Sequence, residues 1–302
     1  MALERFTSLL LAAAMTAGFA GGQAAMAADN AEARLRAQYE AASPRLRQHD
    51  FGRPMVLASS ESPRELRGEI HALFNHPFDR VKAALDQPAE WCDVLLLPVN
   101  SKSCRVSSEG RGATVSLAIG KTNDRRADNA QTIALAFRPL AASPQHFGVE
   151  LTADSGPFGT SDYRILVEAI PIDGKQTFLH FTYAYSYGTA AKLAMQAYLV
   201  TAGRNKIGFT MDGTGANGKP AYVDGMRGVI ERNVMRYYLA IEAALHAAGF
   251  PAEQRTMQRL NHWYTATEAY PRQLHEMSRG EYIALKTGAA SRAQVVGTTS
   301  KD

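Results

Sequence analysis

Tyrosines at alternating positions are the residues here whose type and spacing best suit a binding site. Leu179, Phe181, Tyr183, Tyr185 and Tyr187 alternate with His180, Thr182 and Ser186. Tyr163, Ile165 and Val167 alternate with Asp162, Arg164 and Glu168. On strands, each such set shares one face. A tyrosine ring is apolar, and its hydroxyl can orient a ligand. Leu117, Phe147 and Leu151 extend the apolar wall from neighbouring runs. Met226, Ile230 and Tyr237 recur at helical spacing and would face the wall from a helix, with Trp91 completing the set. Methionine adapts to irregular shapes. Apolar walls with a few placed hydroxyls are what a hydrophobic ligand needs. The same residues fit a dry core equally well.

Titratable residues form no catalytic signature. His71, His146 and His180 lie on strand-like runs. Alternation puts His146 and His180 on the polar face, which predicts surface positions. His76 stands beside a helix start, where it caps or faces water. Asp154 and Asp162 flank a Gly-Pro loop, where aspartate is common for turn reasons alone. Arg164 and Glu168 are placed to pair across an exposed sheet face. The sequence has no Gly-x-Ser-x-Gly, HExxH, phosphate loop or dinucleotide fingerprint. Gly213 to Gly218 reads as a mobile loop. No catalytic residue, cofactor or metal site is predicted.

The elements that must position the tyrosines read as follows. Residues 31–47 look like a polar helix interrupted at Pro44, and 51–66 like a connector. A strand begins at Leu66, and a short helix follows Pro77 and stops at Pro88. Strand-like runs then span 104–109, 113–120, 131–140, 146–153, 162–171 and 176–187, separated by turn residues. Short connections make this an antiparallel meander, apolar on one face and polar on the other. Residues 190–202 could be a helix, and 203–220 a glycine-rich loop. Val223–Ala248 is the strongest helical pattern in the chain, ended by Gly249 and Pro251. A helical tail follows to about residue 286, and 287–302 read as disordered.

The first 27 residues have the parts of a secretory signal: Arg5, an apolar run from Phe6 to Ala20, and Ala25-Met26-Ala27 before the expected cleavage. About 275 of the 302 residues would remain, enough for one large domain with appendages. Cys92 and Cys104 are the two cysteines. In an oxidising compartment an even pair reads as a disulfide. The pair is a poor zinc site, having no third cysteine or nearby histidine. The formal charge of +4 fits weak attraction to an anionic bilayer. No clustered basic stripe or motif points to nucleic acid.

The order strand, helix, curved meander and long C-terminal helix resembles the START-like helix-grip superfamily. That superfamily includes lipid-transfer domains, polyketide cyclase-like proteins and plant pathogenesis-related proteins. Gly68-Glu69-Ile70, Pro77-Phe78-Asp79-Arg80-Val81 and Asp86-Gln87-Pro88-Ala89-Glu90-Trp91 carry the resemblance, which covers residues 66–249. It implies an α+β fold, with a curved antiparallel sheet wrapped around the C-terminal helix and extra helices at both ends. The expected organisation is a signal peptide (1–27), an N-terminal helical extension and linker (28–65), the helix-grip domain (66–249), a helical tail (250–286) and a disordered end (287–302).

The resemblance implies a pocket between sheet and helix for a hydrophobic small molecule such as a sterol, phospholipid or other lipid. Together with the export signal, it gives the leading expectation: a periplasmic binding or transfer protein with transient membrane contact and no nucleic-acid partner. A cyclase- or hydrolase-type enzyme in the same pocket is one alternative. An envelope interaction module with a filled core is the other.

Overall fold

The computed structural model describes residues 26–109, 112–120, 130–201, 203–215 and 218–296. Most of the predicted signal segment therefore lies outside the described residues. Helix α1 covers residues 26–46, with Pro44 in its last turn. Strands β1 (Met55–Glu61) and β2 (Glu65–Phe74) form a hairpin, followed by helices α2 (Phe78–Ala83) and α3 (Pro88–Leu95). The meander comprises β3 (Ser101–Glu109), β4 (Gly112–Ile119), β5 (Gln131–Pro139), β6 (Phe147–Ser155), β7 (Thr160–Pro171) and β8 (Thr177–Tyr187). Helix α4 (Thr189–Val200), a hairpin of β9 (Met211–Thr214) and β10 (Pro220–Tyr222), and the long α5 (Gly225–Ala247) follow. Helices α6 (Ala252–Glu268), α7 (Pro271–Leu274) and α8 (Arg279–Val296) complete the described chain.

One antiparallel sheet has the order β1-β2-β8-β7-β6-β5-β4-β3. Its inner face packs on α5. Ile70, Val115, Leu135, Val149, Leu151, Val167 and Phe181 are buried there with Ile230, Val234 and Ile241 of the helix. This is the α+β helix-grip arrangement expected from the sequence pattern.

The approach of α5 to β2 is close because residue 68 has no side chain. A Cβ on Gly68 would sit 2.9 Å from Val234 Cβ and 3.3 Å from Ile230 Cγ1. On another side of α5, buried Glu231 accepts hydrogen bonds from Ser59 Oγ (2.6 Å) and from the amides of Phe209 (2.6 Å) and Thr210 (2.9 Å). One carboxylate thus ties the helix to β1 and to the segment before β9.

The disulfide is present. Cys92 of α3 bonds Cys104 of β3, with Cα atoms 5.4 Å apart. It joins the short helix to the far edge strand. Helix α8 is held nearby by Tyr282, whose hydroxyl donates to the Leu97 carbonyl (3.0 Å), and by Lys286, whose Nζ donates to the Ser101 carbonyl (2.9 Å).

Several expectations are corrected. The supposed connector contains β1, because Met55 and Leu57 are drawn into the main core while Val56 packs on the outer face. The supposed loop after 203 contains the β9–β10 hairpin. Residues 287–296 are helical, continuing α8. Helix α1 runs through Pro44 to residue 46 instead of breaking there. It docks on the outer sheet face through Leu35 and Leu46, against Val56, Ile170 and Phe178. Tyr39 meets the Phe178 ring edge-on at 5.4 Å.

Two outcomes follow. Gly68→Val should cost about 1–3 kcal/mol by overpacking, read from urea denaturation. Opening the disulfide, as in Cys92→Ala/Cys104→Ala, should cost about 3 kcal/mol by the loop-closure estimate and lower the melting temperature.

Candidate functional site

Four of the predicted site residues meet beneath the sheet. Tyr163 stacks on Tyr185 with centroids 5.3 Å apart, Tyr183 lies 5.7 Å from Tyr185, and Tyr237 of α5 lies 5.2 Å from Tyr183. Local features of β7 help to aim Tyr163. The β7–β8 register shifts between Ser161 and Arg164, and Asp162 has φ 50°. A bulge of this kind re-aims the neighbouring side chain. Gly156 leaves room for the ring, since a Cβ there would lie 2.3 Å from Tyr163 Cε2.

The hydroxyls differ in their bonding. Tyr163 and Thr160 share a hydrogen bond of 2.7 Å. Among the described residues, the hydroxyls of Tyr183, Tyr185 and Tyr237 have no such partner. Burial pushes the pKa of all four tyrosines up, so they remain protonated donors at neutral pH. Their oxygens are not among the unpaired polar atoms that lack accessible surface. Tyr237 lies deep enough to be strongly desolvated, yet its surface stays partly accessible.

The other predicted residues surround this cluster less directly. Leu117, Phe147, Leu151, Phe181 and Ile230 are fully buried in the common core, and Met226 lies near the start of α5. Trp91 is buried in α3, its indole N–H donating to the Leu85 carbonyl at 2.9 Å.

A second polar cluster lies on the outer face. Strand register puts Glu168 of β7, His180 of β8 and His71 of β2 in one row. His146 and His180, expected at the surface, are buried. The outer face near β2, β8 and β7 is covered rather than wet, and α1 reaches it through Arg34, which donates to Glu168 at 2.6 Å. His146 Nε2 approaches Glu168 to 3.4 Å, and His180 Nδ1 approaches it to 3.6 Å. His180 Nε2 is hydrogen-bonded to Glu69. The expected Arg164–Glu168 pair does not form. Arg164 instead donates to Glu150 at 2.6 Å, where Arg138 also binds.

Charges in this row support one another. Burial would lower the His180 pKa, but the Glu168 and Glu69 carboxylates outweigh it and hold the pKa raised. The His180 hydrogen bond outweighs burial at Glu69 and brings its carboxyl down to about 2. Burial would raise Glu168, and its histidine and arginine neighbours hold it low instead. Burial, with the adjacent His180 charge, lowers His71 to about 4.

Glu69, His71 and His180 also bring three potential metal-ligand atoms within 4.8 Å of one another. The two imidazoles are stacked, with centroids 4.7 Å apart and planes 8° apart. Parallel rings send their lone pairs side by side instead of toward one ion. The geometry fits a hydrogen-bonded charge row better than a tetrahedral metal centre.

The sequence reading missed this cluster. Glu69 and His71 are spaced two apart on one strand, which puts them on one face. Their meeting with His180 depends on β2 pairing with β8, a contact between distant segments.

No family model matches the chain, and no curated protein matches it. Solved structures with similar folds include the ZhuI aromatase/cyclase from Streptomyces sp. R1128. It is 14% identical over 69% of this chain and 95% of that one, with a TM-score of 0.33. A protein from Thermus thermophilus is 14% identical over 62% of this chain and 99% of that one, with a TM-score of 0.38. Norcoclaurine synthase from Thalictrum flavum is 12% identical over 49% of this chain and 80% of that one, with a TM-score of 0.30. The strand order and the helix across the inner face settle the architecture without them. The fold is a helix-grip, an antiparallel sheet packed around a long helix.

The charge row predicts a pH optimum for stability. His180, raised when folded, contributes fully below its unfolded value near 6.5, and that contribution is lost as pH rises through the folded value. Glu69 and Glu168, lowered when folded, contribute above about 4.5, and their contribution is lost as pH falls. His71, lowered to about 4, costs stability as pH falls below its unfolded value near 6.5, so the row supports the fold most near pH 6.5. Melting curves should show His180→Gln removing part of the stability lost by the parent on the alkaline side.

Proposed function

We propose that the chain binds a hydrophobic small molecule between the inner sheet face and α5, with the tyrosine hydroxyls orienting it. The observation carrying this reading is the set of unpaired hydroxyls on Tyr183, Tyr185 and Tyr237. Each hydroxyl lacks a protein partner among the described residues yet keeps some accessible surface, so it is free to bond an incoming group. A ligand oxygen, or water in its absence, would satisfy it. The surrounding rings offer an apolar surface for the rest of the molecule. Trp91, Leu117, Phe147, Leu151, Phe181, Met226 and Ile230 form the wall behind them in this reading.

The ligand is a lipid or lipid-like molecule, and the protein carries it outside the cytoplasm. The disulfide is consistent with an oxidising compartment. The export signal in the sequence points the same way. Binding rather than catalysis is favoured because protonated tyrosines with raised pKa values are poor general bases at neutral pH.

Two measurements test this reading. Native mass spectrometry of the protein isolated from its host should find a copurifying apolar adduct. N-phenyl-1-naphthylamine should bind saturably, with a rise in fluorescence that the adduct's apolar extract competes away. The variant Tyr183→Phe/Tyr237→Phe should stay folded and bind an oxygen-bearing adduct roughly three- to thirtyfold more weakly. A protein that carries no adduct and takes up no probe would exclude the proposal.

A further inference from the structure

Helix α4 is apolar around nearly its whole circumference. Its polar residues are Thr189, Lys192 and Gln196. Ala191, Met195 and Leu199 turn toward the body of the protein, with Ala191 fully buried. Leu193, Ala197 and Val200 fall on another face at helical spacing. That face is bare: Leu193 is 62% exposed and Val200 73%. Tyr198, further round the helix, is also exposed. A helix apolar on all sides ordinarily lies buried. Clustered apolar exposure on a folded surface marks an interaction site.

The neighbouring turn presents a further apolar group. Pro157–Gly159 contacts α4, where a Cβ on Gly159 would lie 3.9 Å from Ala191 Cβ. Between them Phe158 has φ 59° and is 55% exposed. Left-handed backbone is disfavoured for a bulky side chain. Its amide is held by Gln131 Oε1 at 2.7 Å. The turn therefore accepts backbone strain and still leaves a phenyl ring in water.

Charge indicates what covers this surface. Residues 188–211 contain Lys192, Arg204 and Lys206 and no aspartate or glutamate. Lys206 donates to the His275 carbonyl. Lys192 and Arg204 make no ion pair among the described residues. The helix face is flanked by cations and its own segment carries no acid, which suits the headgroup layer of an anionic bilayer, although Asp154 and Asp162 flank the Phe158 turn. Twelve residues of helix extend about 18 Å, short of the ~30 Å hydrocarbon core. Such a helix lies in the interface and does not cross it.

We propose that α4, with the Phe158 turn, docks the protein onto an anionic lipid surface. Leu193, Val200 and Phe158 enter the headgroup boundary, and Lys192 and Arg204 meet lipid phosphates. Docking through this face does not require a ligand beneath the sheet.

Vesicle co-sedimentation tests it, using phosphatidylglycerol/phosphatidylcholine vesicles and pure phosphatidylcholine vesicles. The protein is taken as isolated from an exporting host, so every variant shares one N-terminus. The parent should bind the anionic vesicles preferentially, and salt should weaken the binding. Leu193→Asp/Val200→Asp should weaken it about tenfold or more. Met257→Asp, at an exposed apolar position on α6, should leave it unchanged. Phe158→Gly should weaken vesicle binding while raising the melting temperature, because glycine relieves the left-handed strain.

Uptake of N-phenyl-1-naphthylamine by Leu193→Asp/Val200→Asp should match that of the parent, separating this surface from the proposed cavity. Unchanged vesicle binding by that variant, or none by the parent, would overturn the inference. So would self-association of the parent in sedimentation velocity that the same variant abolishes, since the face would then belong to a second copy.

Discussion

The contact of α5 with β2 sets the geometry of the inner face. Gly68 allows Val234 and Ile230 to approach the strand closely enough that any side chain at that position would collide with them. Because α5 sits this low, Tyr237 reaches the Tyr183 ring on β8. Glu231 holds the same helix from another direction through Ser59 and two backbone amides. The helix is thus located by a steric fit and by hydrogen bonds to a buried carboxylate. A small tilt of α5 would change the contact between the tyrosines of sheet and helix before it changed the rest of the core.

The two faces of the sheet treat polar groups differently. On the outer face, Glu168 and His180 are buried alongside partners of opposite charge: Arg34 of α1 binds Glu168, and Glu69 binds His180. Burying charge is tolerable only with such partners. On the inner face, three tyrosine hydroxyls have no hydrogen-bond partner among the described residues and stand among aromatic rings. The inner face is the better candidate for a hydrophobic ligand because its hydroxyls stand among aromatic rings, whereas the outer cluster is a row of charges. The outer cluster pairs its charges, and Arg34 ties α1 to it, but His71 Nε2, His146 Nε2, Glu168 Oε2 and His180 Nδ1 stay buried without a hydrogen bond.

Much of this fold was legible because its strands alternate cleanly. Phe147, Val149 and Leu151 on β6, or Phe181, Tyr183 and Tyr185 on β8, announce an inner face without any neighbour being known. The α5 pattern of Met226, Ile230, Val234 and Ile241 does the same for the helix. Strand β1 was hidden because Met55-Val56-Leu57 is a short apolar run between Pro54 and polar residues, and such a run has no decisive period. Helix α1 gave no sign of where it docks, since Leu35, Tyr39 and Leu46 make a sparse stripe. That stripe suffices only because Phe178 and Ile170 supply the opposing surface. His146 and His180 were misplaced for the same reason. Alternation assigns a side chain to a face, while burial depends on what covers that face.

From the sequence alone came the alternating meander, the long amphipathic helix, the cysteine pair and the one-sided tyrosines. These are local properties, set by side-chain periods of two and 3.6 residues and by turn chemistry. Only the tertiary structure decided which strands are neighbours. That decision brought His71 to His180, Tyr237 to Tyr183 and Arg34 to Glu168, across separations no local pattern encodes. It also decided that α4 would leave Leu193 and Val200 uncovered. An apolar residue in a sequence is ordinarily read as core, and only the packed chain shows which ones the core has no room to take.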